Sequence, residues 1–114
     1  DFTKAFMWYS RAAEQGNPEA QNQTGEMLEQ GIGTAKDLKL AFSWFDKAAK
    51  NNNIAANYNL GSAYVHGYGV EQNFNKGVEY GIEFVILYGS LFFITAYEIK
   101  KNYEKSDKEK KEKI

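Results

Sequence analysis

Apolar and polar residues alternate near the start of the chain with the spacing of a helix that buries one side. In the segment 2–15, alanine and aromatic residues recur every three or four positions, which is typical of an amphipathic helix. Gly16 then offers the left-handed conformation that ends a helix, and Asn17 with Pro18 offers the cap and first turn of the next. The second helix is predicted to end at a glycine turn at 31–33.

The same order of signals returns further along the chain. The predicted elements of this second round are a cap at Asp37, a helix from Leu38 to about Lys50, an asparagine turn at 51–53, a helix from Ile54 to about His66, a glycine turn at 67–69 and a further helix opened by Asn73. Asparagine is the residue that best replaces glycine in a left-handed turn. Each unit is therefore predicted to be a helix–turn–helix hairpin.

The two rounds are related by a fixed period of 36 residues. The residues that recur unchanged 36 positions later are Ala5, Phe6, Trp8, Ala12, Ala13, Asn17, Ala20, Gly25, Gly31 and Gly33. A period of this length predicts a repeat architecture. Since a single hairpin cannot bury its apolar stripe alone, neighbouring hairpins must stack.

Two kinds of recurring residue predict how the hairpins pack. Gly25 and Gly61 lie inside predicted helices, where glycine costs about 1 kcal/mol relative to alanine, so we expect two helices to approach closely there. Trp8, Trp44 and Tyr80 are spaced 36 apart and are expected to form a ladder of packed side chains between successive hairpins.

The pattern resembles the Sel-1-like repeat family, which is related to the tetratricopeptide repeats. The family unit reads A-x-x-x-L-G-x-x-Y-x-x-G-x-G-V followed by D-x-x-K-A-x-x-W-Y-x-K-A-A-x-x-G. The first half is matched by Ala56, Leu60, Gly61, Tyr64, Gly67, Gly69 and Val70. The second half is matched by Asp1, Lys4, Ala5, Trp8, Tyr9, Ala12, Ala13 and Gly16. A third copy of the second half has Phe84 and Val85 in place of the alanine pair.

This resemblance covers residues 1–82 as a partial first unit, one full unit and a partial third. It implies an all-α fold, a right-handed superhelix (solenoid) of antiparallel helix–turn–helix repeats. It also implies a non-enzymatic scaffold or adaptor that binds other proteins without a cofactor. Because the pattern is already under way at Asp1, we expect the chain to be a portion of something longer.

The segment Phe84–Tyr97 is a run of 14 residues without a formal charge, and two interpretations remain open for it. Residues 83–99 form either a capping helix of the solenoid or a membrane-seated helix. A membrane span needs about 20 residues, and widening the run to 78–99 admits three glutamates. The Lys-rich tail at 100–114 is expected to be a frayed helix or disordered.

The distribution of charged residues favours protein partners over nucleic acids. The chain has a net charge of −1 and no cysteine; residues 1–99 carry 7 basic and 11 acidic side chains, and residues 100–114 carry 7 and 4. The body lacks the basic patch of a nucleic-acid-binding domain, so protein partners are expected, with the membrane possible through 78–99. The compartment stays undetermined.

Few residues are candidates for chemistry. His66 is the only histidine, and its place at a helix end favours an exposed side chain over a general base. The glycine turns lack the preceding strand and the lysine of a phosphate-binding loop, and the glycosylation motif at Asn22 lies inside a helix. Some secreted members of the family are linked to β-lactam hydrolysis, but they depend on paired cysteines. We therefore expect no catalytic residue, metal or cofactor.

By resemblance to other solenoids, the second and fourth helices line the concave face. Their predicted non-core residues, which are the candidate partner-binding set, are Asn22, Glu26, Glu29, Tyr58, Ser62 and Val65. Tyr58 is expected to be the anchor for an extended partner segment, the alternative being an ordinary surface. The leading function is a protein-binding scaffold. The alternative is a membrane-tethered adaptor like family members that act in endoplasmic-reticulum quality control.

Overall fold

The computed structural model describes the backbone of residues 1–88 and 91–113 and the side chains of residues 1–81 and 94–113. Its helices are α1 (Phe2–Glu14), α2 (Pro18–Gln30), α3 (Leu38–Lys50), α4 (Ile54–His66), α5 (Phe74–Tyr88) and α6 (Leu91–Glu112). No strand occurs among the residues described. The predicted all-α fold is confirmed.

Local signals place the helix ends where they were predicted. The residues that cap helix N-termini by accepting a backbone N–H are Asp1, Asn17, Asp37, Asn53 and Asn73. Asn52 adopts a φ of 69° where the first turn has Gly16 at 95°. The glycine turns close alike: the Asp37 N–H donates to Leu28, and the Asn73 N–H donates to Tyr64.

The helices form two layers. Each helix packs against its neighbours in chain order, and α6 also packs against α4. Hydrogen bonds from Asn59 on α4 to Asn22 and Glu26 on α2 join the other pair of even-numbered helices. Thus α2, α4 and α6 lie side by side, and their outer surface is called the even-helix face.

Apolar side chains fill the space between the layers. One buried cluster contains Leu28, Ala41, Phe45 and Leu60, with Phe6, Phe42, Trp44, Ala49 and Tyr80 packed against it. A second cluster joins Val65 of α4 to Ala96 of α6, with Phe74, Val78 and Ile99 at its edge. Hairpins therefore bury their apolar stripes against one another, as a repeat architecture requires.

The aromatic ladder is present in its second and third positions only. Trp44 and Tyr80 pack against the core, and Tyr64 stacks on Tyr80 with ring centroids 5.7 Å apart. Trp8 is 63% exposed, so the prediction that it is packed is wrong. The reason is that α3 packs between two even helices, α2 and α4, whereas the main helix contact of α1 is with α2.

Close helix approach is confirmed at Gly25, and a second close approach occurs between Gly61 and Gly77. A Cβ at Gly25 would lie 2.5 Å from the Cε1 atom of Phe45. A Cβ at Gly77 would lie 2.8 Å from the carbonyl oxygen of Gly61, so the backbones of α4 and α5 meet there. Gly77 of α5 occupies the place that Ala41 has on α3, one period of 36 residues earlier. The α4–α5 contact therefore has a smaller residue at this place than the α2–α3 contact.

Gly77→Ala is therefore expected to destabilise the fold even though it restores the residue of the preceding repeat. Crowding at a packed contact costs about 1–3 kcal/mol, and the gain in helix propensity offsets about 1 kcal/mol of it. Urea unfolding should show a net loss of up to about 2 kcal/mol. Asn75→Ala, on the exposed side of α5, is the control and should lose nothing. A gain in stability for Gly77→Ala would contradict the close approach.

The C-terminal helices bear on the two interpretations of the apolar run. The prediction of one helix across 78–99 is wrong, because α5 ends at Tyr88 and α6 begins at Leu91. Among the residues described, no helix has the length and apolar content to cross a membrane, so the membrane-tethered alternative is not favoured. Most of the run, with the Phe84–Val85 pair, lies outside the described side chains.

Helix α6 extends well past the predicted boundary at residue 100. It continues to Glu112, with ion pairs between Asp107 and Lys111 at 3.1 Å and between Lys108 and Glu112 at 4.0 Å. Pairs with this spacing stabilise an exposed helix by a few tenths of a kcal/mol each. The tail is thus helical as far as Glu112, which agrees with the first of the two alternatives, a helix, and not with disorder.

Candidate partner-binding face

Three polar side chains join α2 to α4 at the centre of the even-helix face. The Asn59 amide donates to the Oδ1 atom of Asn22 at 2.8 Å and to the Oε1 atom of Glu26 at 3.2 Å. The Asn22 amide donates to the same Glu26 oxygen at 3.3 Å. Because Asn22 is only 7% exposed, these bonds satisfy a buried amide and hold the two helices at a fixed distance.

His66 and Glu29 lie at the other end of this pair of helices. The Nδ1 atom of His66 is 2.9 Å from the backbone carbonyl of Ser62; since a carbonyl only accepts, Nδ1 carries the proton. The ring stacks on Tyr68 with centroids 4.8 Å apart. Partial burial, and then the nearby Glu26, raise the pKa of Glu29, while His66 and Lys36 act in the opposite direction.

The raised pKa of Glu29 predicts a small dependence of stability on pH. The native state binds this proton more tightly than the unfolded chain does. Its contribution is therefore complete below the ordinary pKa of 4.5 and is lost as the pH rises through the folded value. Glu29→Gln should raise Tm at neutral pH by on the order of 1–2 °C, and the difference should disappear below about pH 4. Glu19→Gln, at an exposed position, is the control; a lower Tm for Glu29→Gln at neutral pH would contradict this reasoning.

A small crevice separates α4 from α6. Its volume is about 30 Å³, far below that of a typical small-molecule pocket. The residues that line it are Tyr58, Ser62, Val65, His66, Thr95 and Ala96. Tyr58 is 37% exposed, whereas Val65 and Ala96 are buried. The surface that lines the crevice is therefore mainly apolar, with polar groups from Ser62, His66 and Thr95, and it lies beside the partly exposed ring of Tyr58.

A larger hollow of about 350 Å³ opens near the start of α2 and α4. The residues that line it are Tyr9, Glu19, Asn22, Gln23, Asn53 and Ala55. Four of these residues carry amide or carboxylate side chains, and Tyr9 of α1 adds an aromatic ring. The even-helix face thus has a polar hollow on one side of α4 and an apolar crevice on the other.

The match to known repeats is extensive. The family model described as Sel1 repeat matches residues 1–17, 18–53 and 54–81. The chain belongs to the Sel1 repeat family. Sel1 repeat proteins generally mediate protein–protein interactions and are typically non-catalytic scaffolds.

Two solved structures share the Sel1 repeat fold with this chain. One is a protective antigen present in uropathogenic Escherichia coli strains, which displays an SLR fold; it is 33% identical, with a TM-score of 0.74 over 91% of this chain. The other is a Sel1 repeat protein from Oxalobacter formigenes, 26% identical, with a TM-score of 0.71 over 73% of this chain. The chain spans only 22% and 24% of their lengths. No curated protein matches it.

The structure brings the predicted partner-binding residues of this Sel1 repeat chain onto one face, but not all of them are accessible. Tyr58 is exposed, and Ser62, Glu26 and Glu29 are half-buried. Val65 and Asn22 are buried, so the interpretation of these two as non-core positions is wrong. Val65 is covered by Ala96 of α6, and Asn22 is held by its amide network.

Asn59 is a member of the site that the sequence interpretation did not include. Its counterpart one period earlier is Gln23, which lines the polar hollow. An amide at the same place in two successive repeats was the available signal. The sequence did not show that Asn59 would bond to α2, because that depends on the distance between α2 and α4, which the pattern within one repeat does not specify.

The residues weighed for chemistry show no catalytic grouping. The described part of the chain contains no cluster of histidine and acidic side chains that is able to hold a metal ion. Each glycine turn connects two helices. His66 bonds through Nδ1 to its own helix.

Proposed function

We propose that this chain is a protein-binding module whose even-helix face holds an extended segment of a partner. Tyr58 is the anchor, Ser62 and the half-buried glutamates fix the register, and no covalent step is involved. The observation that carries the proposal is an accessible aromatic ring beside a preformed apolar crevice. The family's general role in protein–protein interaction supports it.

The rigidity of the face favours binding. The amide network of Asn59 joins α2 to α4, and the Val65–Ala96 contact joins α4 to α6. A surface that is already ordered loses less conformational entropy when a partner binds. Tyrosine is also among the residues that most often carry binding energy at interfaces. The proposed mechanism is therefore complementarity to a rigid, three-helix surface.

Tyr58→Ala tests this proposal directly. We expect the stability to change by less than about 1 kcal/mol, because the ring is partly exposed. We expect the Kd for a partner to rise by at least about tenfold, as for an interface anchor. A photo-crosslinking amino acid placed at position 58 captures the partner in cells, and titration calorimetry with the purified partner then measures both variants.

Tyr68→Ala is the matched control for that experiment. Tyr68 is 40% exposed; it lies on the glycine turn after α4 and does not line the crevice itself, although its ring stacks on His66. Its removal should leave the Kd within about twofold. An equal loss of affinity in both variants would place the site elsewhere, and failure of the Tyr58→Ala chain to fold would show that the ring belongs to the core.

A further inference from the structure

Charge is distributed unequally between the two layers of helices. Helix α2 carries three glutamates and no lysine or arginine, and α4 carries no residue of either kind. Helices α1 and α3 together carry five basic residues and two acidic ones. The α2 part of the even-helix face is therefore acidic, α4 at its centre is uncharged, and helices α1 and α3 behind it are basic.

The three glutamates of α2 all lie on the side toward α4. Glu26 accepts a hydrogen bond from Asn59, Glu29 interacts electrostatically with His66, and Glu19 lines the polar hollow with Asn53 and Ala55. Burial and the neighbouring carboxylate of Glu26 raise the pKa of Glu29 in spite of Lys36 and His66. Lys36 and His66 thus offset the effect of burial and of the Glu26 carboxylate on Glu29 only in part.

The apolar crevice lies on the opposite side of α4 from these carboxylates. Axes of packed helices are about 8–10 Å apart, and an extended segment advances about 3.3 Å per residue. A segment of about ten residues is therefore long enough to cross α2, α4 and α6. Such a segment meets acidic side chains first and the ring of Tyr58 afterwards.

We propose that the partner segment is basic, with lysine or arginine side chains on Glu26 and Glu29 and an apolar side chain against Tyr58 at the mouth of the crevice. This inference rests on the proposed function and adds the chemistry of the partner. Opposite charges across an interface select partners and speed association. The apolar contact supplies the part of the affinity that salt does not screen.

Three fluorescein-labelled peptides of about ten residues, long enough to cross the face, test the inference on the full chain. The first combines lysine with leucine in a glycine–serine background, the second combines glutamate with leucine, and the third combines lysine with serine. Fluorescence polarisation should show the lysine–leucine peptide binding at least about tenfold more tightly than the glutamate–leucine peptide. The lysine–serine peptide should bind more weakly and lose its affinity at high salt.

Paired variants locate the charge. Glu26→Gln with Glu29→Gln should weaken lysine–leucine binding by about tenfold. Glu14→Gln with Asp46→Asn removes the same charge from α1 and α3 and should leave the Kd within about twofold. Because Glu26 takes part in the Asn59 network, Glu29→Gln alone is measured as well and should weaken binding by about threefold.

The outcomes separate the two proposals. If the glutamate–leucine peptide binds as tightly as the lysine–leucine peptide and both depend on Tyr58, the basic partner is overturned and the proposed function stands. If no peptide depends on Tyr58 and no partner crosslinks at position 58, the proposed function is overturned with it. Equal weakening by the two paired variants shows a long-range charge effect and overturns the assignment to Glu26 and Glu29.

Discussion

Gly69→Ala is expected to lower the free energy of unfolding by about 3–5 kcal/mol. Two costs combine at this position. The residue has a φ of +73°, where any side chain other than hydrogen is strained by about 1–2 kcal/mol. A Cβ would also overlap the backbone carbonyl of Leu38 at the start of α3, and that backbone cannot yield without moving the helix.

Urea unfolding of Gly69→Ala beside Gly16→Ala separates the two costs. Gly16 has a φ of +95° but open space around it, so its substitution carries the conformational cost alone, about 1–2 kcal/mol. Gly33 meets the carbonyl of Phe2 as Gly69 meets that of Leu38, so Gly33→Ala should match the larger loss. Equal losses at positions 16 and 69 would contradict the backbone contact.

Gly61→Leu is expected to abolish cooperative unfolding, with a loss of at least about 4 kcal/mol. Gly61 is buried, and its carbonyl oxygen lies beside Gly77 of α5. A leucine there forces α4 and α5 apart and exposes the apolar side chains between them. Circular dichroism during heating should show a broad transition at a much lower temperature.

Ser62→Leu is the matched control for this substitution. It adds a leucine to the adjacent position of the same helix, where the side chain is half-buried on the even-helix face. We expect its stability to change by less than about 1 kcal/mol. An unchanged Tm for Gly61→Leu would show that α4 and α5 tolerate a large side chain at their contact.

The fold was predictable because its signals are local. Asn17, Asp37 and Asn53 each bond to a backbone N–H three residues on, and such a bond depends on little beyond one turn of chain. The period of 36 then extended a correct hairpin to its neighbours. The glycine contacts were predictable for a similar reason, because glycine recurring inside a helix has a cost that only close packing offsets.

The candidate site was predictable only in part, because exposure depends on what covers a residue. Val65 belongs to the core because Ala96 lies against it, and the path of α6 was not specified by the repeat. An uncharged run of 14 residues suits a buried helix, two helix ends or an interfacial segment equally well. Trp8 illustrates the reverse case, since the same residue type is packed at position 44 and exposed at position 8.

The turn glycines also determine how far local unfolding of one unit affects the others. Gly33 meets Phe2 and Gly69 meets Leu38, 31 residues back in both cases. Each of these glycine contacts joins one turn to the start of the preceding odd-numbered helix and to nothing more distant. The chain therefore behaves as a one-dimensional array in which only neighbouring units are coupled. Adding further repeats to such an array adds contacts at the same sequence separation, so no longer loops have to close during folding. Hydrogen exchange should accordingly show opening that starts at the ends of the array and moves inward one hairpin at a time.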